Sequence, residues 1–271
     1  MARRIREVGM IKSGVLGAFL LAGAALPAAA ADLYGSAPAA PVEVADPSHK
    51  LSLSANVALT TDYVFRGVTQ TDENPALQGG FDATYNIFYA GVWASNVDFG
   101  GGPFGQDIAN LEIDYYAGIA PKWNGITFNV GGLYYTYPGA FDPGAELDYF
   151  ELKTGASYTF AEKLTLGITN YWSPEFTGET GDADALELSA AYALANKWFN
   201  FFTPTVSGLV GWQWVDDIDI DYTYWNVGLT LGFLENWSAD VRYWDTDGLD
   251  CPDSGLFACD ARVVGTIKAA F

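Results

Sequence analysis

Ten charged side chains sit at alternate positions in segments whose other face is apolar: Asp82, Glu112, Asp114, Glu151, Lys153, Glu187, Asp240, Arg242, Arg262 and Lys268. Two-residue spacing puts Glu112 with Asp114, and Glu151 with Lys153, on one side of an extended chain. Charges of both signs converging on one interior either pair and plug it or line a wet passage and set its charge preference. Catalysis has less behind it. The one histidine, His49, precedes the first alternating segment, so a Ser–His pair at a strand end has no base. There is no H-E-x-x-H, and no glycine-rich loop between strand and helix. With 33 acidic residues, carboxylate pairs occur everywhere and nothing selects one. The reading is a non-enzyme with no cofactor.

Cys251 and Cys259 are the two cysteines, both in the last long connection. In an exported chain, so close a pair reads as one disulfide, contributing ~2–3 kcal/mol in the chain-entropy model. No nearby histidine completes a metal site. The run Asp216-Asp217-Ile218-Asp219-Ile220-Asp221 lacks the glycine and final glutamate of an EF-hand loop and reads as a solvated acidic loop. No metal is expected.

The elements that must carry these charges repeat with a period of two. Leu51, Leu53, Ala55, Val57 and Leu59 share one face, and Ser52, Ser54, Asn56 and Thr60 the other. Leu111, Ile113, Tyr115, Ala117 and Ile119 stand against Asn110, Glu112 and Asp114. Val263, Ile267, Ala269 and Phe271 stand against Arg262, Thr266 and Lys268. Twelve such segments are counted between Leu51 and Phe271, each about 10 residues long, as a tilted membrane strand requires. The segment Phe88–Val97 is the most ambiguous, since Val92 and Trp93 fall on opposite faces. The connections alternate. Short ones lie near Asn86, Pro121–Gly125, Ala161–Lys163, Ala195–Phe199 and Leu234–Asn236; long ones are Arg66–Pro75, Asp98–Asp107, Pro138–Glu146, Ser173–Ala183, Asp216–Asp221 and Thr246–Asp260. Tight turns on one side and long loops on the other are the pattern of an outer-membrane barrel.

The expected fold is therefore all-β, a transmembrane antiparallel up-and-down barrel of about twelve strands over residues 51–271. Its apolar face meets lipid and its polar face the lumen, the reverse of a soluble barrel. Twelve strands lie between a side-chain-filled barrel of about eight and an open channel of about sixteen. Aromatic clusters are assigned to girdles at strand ends: Tyr134-Tyr135-Tyr137, Tyr171-Trp172, Trp198-Phe199, Trp212-Trp214, Tyr222-Tyr224-Trp225 and Trp237. The terminal Phe271 closes an alternating strand and reads as a signal for the barrel-assembly machinery.

Export fits this fold. Arg3, Arg4, Arg6 and Lys12 precede the apolar stretch Gly14–Leu26, and Ala29-Ala30-Ala31 forms a cleavage site. Residues 1–31 read as a signal peptide, with Met10 an alternative start, and the Ala/Pro-rich residues 32–50 as a periplasmic lead-in. No later apolar run reaches the ~20 residues of a membrane helix. Cleavage removes four basic residues and one acidic one, leaving 9 basic against 32 acidic. That balance excludes nucleic acid as a partner and opposes docking on anionic lipid.

The stretch Val57-Ala58-Leu59-Thr60-Thr61-Asp62-Tyr63-Val64-Phe65-Arg66-Gly67-Val68-Thr69-Gln70 resembles the hallmark of the TorF-type candidate porins, a conserved proteobacterial family of unknown function. Phe88–Phe99 and Glu112–Gly118 resemble its next two signatures. The resemblance implies an outer-membrane barrel and a pore, with no substrate or catalytic residue to carry over. The Cys-bearing last loop departs from the family pattern.

The sequence thus points to a Gram-negative outer-membrane protein whose partners are lipid, lipopolysaccharide, the assembly machinery and small solutes. Passive diffusion of small polar solutes is the leading function, with cation preference if Asp82, Glu112, Asp114 and Glu187 dominate the constriction. The alternative is a non-conducting structural or adhesive barrel whose acidic loops bind ions. Nothing in the sequence fixes an oligomeric state.

Overall fold

A computed structural model describes residues 50–101, 107–141, 146–252 and 255–271. The signal peptide, nearly all of the lead-in and His49 lie outside these residues. Twelve strands of nine to fourteen residues follow one another: Leu51–Thr60, Ala76–Tyr85, Phe88–Asn96, Leu111–Ile119, Ile126–Thr136, Tyr149–Phe160, Leu164–Ser173, Ala183–Ala193, Thr203–Val215, Ile220–Phe233, Trp237–Asp247 and Arg262–Ala270. Each pairs antiparallel with its neighbours in sequence. The twelfth returns to the first, with Val57 opposite Ala269 and Leu59 opposite Ile267. Ala55 and Phe271 then exchange two backbone bonds of 3.0 and 2.8 Å. The sheet closes on itself, which satisfies the backbone donors and acceptors of every strand without water. Among the described residues no helix is long and apolar enough to cross a membrane.

Adjacent residues show how the faces are sorted. In the eleventh strand Val241 is 59% exposed, while Asp240 and Arg242 on either side are 5% and 2% exposed. Leu51, Leu53, Leu77, Phe81, Ile168 and Val263 are likewise exposed on the outside. Apolar side chains point out and charges point in, as lipid around a polar lumen demands. The ambiguous third strand resolves the same way. Val92 points outward between Phe81 and Tyr115, and Trp93 turns inward, edge-on to Tyr63 at 5.3 Å.

Two connections depart from the expected sorting. Residues 216–219 are a four-residue turn rather than a long loop, because the two strands around them run on to Val215 and start at Ile220. Residues 194–202 are longer than a tight turn. There Trp198 bridges to Phe202, and Phe201 packs on Phe202 at 4.8 Å and Phe233 at 6.1 Å. Ring packing holds this connection together where turn residues would serve a shorter one.

A charge on the outward face should be costly in proportion to depth. Val241→Arg, at mid-strand, is expected to lower the unfolding free energy in lipid by about 2–4 kcal/mol, and Asn236→Arg in the adjoining turn by about 0–1 kcal/mol. Denaturant titration in bilayers of defined thickness measures both, and equal losses would contradict the assignment of the faces.

Candidate functional site in the lumen

Alternation alone brings eight of the ten sequence-selected charges together. Asp82, Glu112, Asp114, Glu151, Lys153, Glu187, Asp240 and Arg242 are all buried on the inner wall. Arg262 sits at the long-loop rim, where its Nη1 meets Asp62 Oδ2 at 3.0 Å. Lys268 is half-buried nearer the short turns.

The first long connection, residues 61–75, turns into the barrel. Val64–Phe65 pairs with Val68–Thr69, and the turn between them is made by Arg66 and Gly67 at φ 47° and 87°. Positive φ at both central positions is the tight hairpin geometry that favours glycine. A Cβ on Gly67 would also collide with the Thr246 methyl. The base of this hairpin is gathered by Asp62, which accepts from Thr69 Oγ1 at 2.6 Å and Thr71 Oγ1 at 3.0 Å.

The hairpin tip delivers a guanidinium into the lumen. Arg66 is 1% exposed. Its Nη2 donates to Glu151 at 2.8 and 2.9 Å, and its Nη1 to Gln213 Oε1 at 2.8 Å. Tyr135 Oη donates to the same carboxylate at 3.0 Å. The guanidinium carbon lies 5.0 Å from the Tyr171 ring centre, and Lys153 Nζ lies 5.6 Å from it. A charge withdrawn from water is tolerated where it is paired and hydrogen-bonded; Glu151 and Gln213 supply both for Arg66, and the Tyr171 ring face adds a cation–π contact.

The remaining carboxylates are held mainly by tyrosines. Tyr63 Oη donates to Glu112 at 2.8 Å, Tyr116 to Asp82 at 2.5 Å and Tyr224 to Glu187 at 2.8 Å. Burial, and then the charges of Glu112 and Asp114, push the Tyr63 phenol well above its ordinary range, so it stays a donor. Tyr224 can reach Glu187 because its ring lies over Gly211, where any side chain would collide with it. Asp240 is met by Arg242 at 3.1 and 3.2 Å and by Thr230 at 2.8 Å. Asp114 differs: its carboxyl lies against that of Glu112, two residues away on the same buried face. Toward the short turns the inner wall changes to small polar residues, among them Ser54, Thr127, Ser157 and Thr169, which are half-exposed. Other inner-wall residues near the short turns, Asn129, Thr230, Ser238 and Asp240 among them, are buried, so the accessible part of the lumen there is confined to one side of the wall.

The last loop braces the plug. Cys251 and Cys259 are joined by a disulfide. Within its span the Ala258 carbonyl accepts from Thr69 N at 3.0 Å, and Gly255 N donates to Glu73 at 2.9 Å. Sequence reasoning had no reason to select Arg66 or Gln213, and it misplaced several aromatics. Tyr135, Tyr137, Tyr171 and Tyr224 face inward and are buried, not in a girdle. Their neighbours Tyr134, Trp172 and Trp225 do face outward. Strict alternation was the signal that separates them, since adjacent strand residues cannot share a face.

A family model described as a bacterial protein of unknown function (Gcw_chp) matches residues 44–271. No curated protein matches the chain. Among solved structures, the KdgM porin superposes with a TM-score of 0.53 at 8% identity, over 80% of this chain and 98% of that one. The KdgM porin in complex with disordered oligogalacturonate gives 0.52 at 8% identity, over 81% and 98%. At this identity the likeness is one of fold: this barrel has the architecture of outer-membrane porins.

Removing one partner of a buried ion pair leaves the other uncompensated. Glu151→Leu is expected to destabilise the barrel by about 3–5 kcal/mol, and the double variant Arg66→Met/Glu151→Leu by less than either single change. A double-mutant cycle in denaturant checks this, and additive losses would show that the pair is not coupled.

Proposed function

The chain belongs to the Gcw_chp family of bacterial proteins of unknown function, and we propose that its barrel is an outer-membrane channel for small polar solutes, closed in this conformation by the first loop. The observation that carries the reading is the inner wall. Charged and hydroxyl side chains run along it, half-exposed toward the short turns, and one inserted hairpin blocks the other end. The long loops face outside and the short turns the periplasm. The outward apolar face meets lipid and lipopolysaccharide, and Phe271, exposed at the closing seam, is the contact for the assembly machinery. The TorF-type resemblance supports the same reading.

The lumen favours cations. Among the buried charges, six carboxyls of the inner wall (Asp82, Glu112, Asp114, Glu151, Glu187 and Asp240) and Asp62 of the first loop face three cationic groups, Lys153 and Arg242 of the wall and Arg66 of the loop. Glu112 and Asp114 set two carboxyls side by side on one buried face, which concentrates negative potential there. A second reading has one observation in its favour. The belt around Arg66 is almost wholly buried, as in a non-conducting barrel whose acidic loops bind ions or partners.

Planar-bilayer recording separates the two. The intact protein is expected to open briefly, and a variant lacking residues 63–70 to conduct in sustained, discrete steps with a reversal potential of cationic sign. Asp114→Asn in that background should move the reversal potential toward zero. A correctly folded, hairpin-deleted barrel that stays silent would reject the channel and favour the second reading.

A further inference from the structure

The charges that face water are sorted along the barrel axis. Among the described residues every exposed lysine lies at the short-turn end: Lys50, Lys122, Lys163 and Lys197. At the long-loop end no lysine or arginine is exposed among those residues, whereas Glu73, Asp98, Asp107, Asp182, Asp216 and Asp247 all are. Arg262 at that rim is taken up by Asp62 at 3.0 Å. The acidity of the whole chain therefore hides a polarity. One mouth is strongly negative, and the lysines gather at the other.

Strand register turns most of these lysines toward the lumen. Lys122 stands opposite Thr127 on the inner wall. Lys50 continues the inner row of Ser52 and Ser54, since Leu51 between them faces out. The Lys163 carbonyl accepts from Ala193 N at 2.9 Å, which sets Lys163 across from a residue whose neighbour Tyr192 is exposed on the outside. Lys268, half-buried, stands opposite Ser238 on the inner face. The four belong to the first strand, two separate turns and the twelfth strand, so they are spread around the mouth. Against them at this end stand Glu162 and Glu235, both exposed at turn tips, and the C-terminal carboxylate of Phe271. Rings of lysine at a pore mouth gather anions, and acidic rings gather cations. Each field reaches about one Debye length, ~10 Å in 0.1 M salt.

Two such zones in series conduct unequally in the two directions. With the loop side positive, cations leave the acidic zone and anions leave the basic zone toward each other. Carriers accumulate where the zones meet, and current is high. With the voltage reversed both are drawn apart, and the middle of the lumen is depleted. We propose that the open barrel rectifies, passing cations from the loop side to the short-turn side, and anions the other way, more readily than the reverse. This rests on the channel reading and adds a direction to it.

Planar-bilayer recording of the variant lacking residues 63–70 tests it. The protein is added to one chamber, so that its long charged loops, which do not cross the bilayer, stay on that side. In symmetric salt of about 0.1 M, the open current with the loop side positive should exceed that at the equal and opposite voltage about twofold or more. The ratio should fall to about one in 1 M salt, where the Debye length shortens to about 3 Å. The brief openings of the intact protein should be asymmetric in the same sense. Lys50→Glu/Lys122→Glu/Lys163→Glu, which gives both mouths one sign, should bring the ratio to about one even in dilute salt. The same three positions changed to arginine should keep it. Heat-dependent electrophoretic mobility confirms that each variant is folded. Equal currents in both directions from a conducting barrel, a larger current with the loop side negative, or a ratio unmoved by the charge reversal would each overturn the proposal and leave the channel standing. A barrel that never conducts would reject the channel and the rectifier together.

Discussion

A guanidinium cannot be held out of water without a partner, and in this barrel the partner is a single carboxylate on the inner wall. Arg66 and Glu151, 2.8 Å apart and both almost fully buried, fix the first loop inside the lumen. The energetic case is asymmetric. The intact pair is worth little beyond an apolar replacement, but either half alone is a buried unpaired charge. The hairpin therefore acts less as glue than as a register pin. It has one place where its tip can be satisfied, and Gln213, Tyr135 and Tyr171 complete that place.

The same constraint orders the rest of the molecule. Lipid outside obliges the sheet to close and to carry its hydrophobes outward, which leaves most polar side chains of the strands facing a confined interior, with exceptions such as Asn170 and Asp184 bonded to each other on the outer face toward the loops. The inward groups must then find partners across the lumen. Tyrosines serve because each brings a rigid apolar ring to fill space and one donor to reach a carboxylate. The result is a charge-paired interior under the long loops that extends to Asp240 and Thr230 near the short turns, with half-exposed hydroxyls such as Ser54, Thr127 and Ser157 along one part of the wall. The disulfide-bonded last loop presses on the first from above, so two loops far apart in sequence form one cap.

Most of the fold was legible in local pattern. Period-two alternation marks all twelve strands and puts Asp82, Glu112, Asp114, Glu151, Lys153, Glu187, Asp240 and Arg242 on the inner face, because the pleat is a property of neighbouring residues. The pairing of those charges was not legible. Arg66 lies 85 residues from Glu151 and 147 from Gln213, and which strand faces which across a lumen depends on stagger and tilt that no short window contains. The hairpin left a trace in Arg66-Gly67, a tight-turn dipeptide inside an apolar stretch, but nothing local says whether it points in or out. The aromatic runs misled for a related reason. Tyr134 and Tyr135 look like one girdle cluster by composition, yet they stand on opposite walls. The acidic run at 216–221 likewise reads as a long loop by polarity, and strand pairing continues into its far end, leaving a tight turn.

The insertion of the first loop is tested most directly by hydrogen exchange of its own amides. Tyr63, Thr69 and Gln70 donate backbone N–H groups to Thr71 Oγ1, the Ala258 carbonyl and the Tyr63 carbonyl at 3.1, 3.0 and 2.7 Å. In the membrane-embedded protein these amides should exchange as slowly as those of the barrel strands and should accelerate when Glu151 is replaced by leucine. Exchange as fast as that of the exposed turn at residues 216–219 in the unaltered protein would mean that the hairpin does not reside in the lumen.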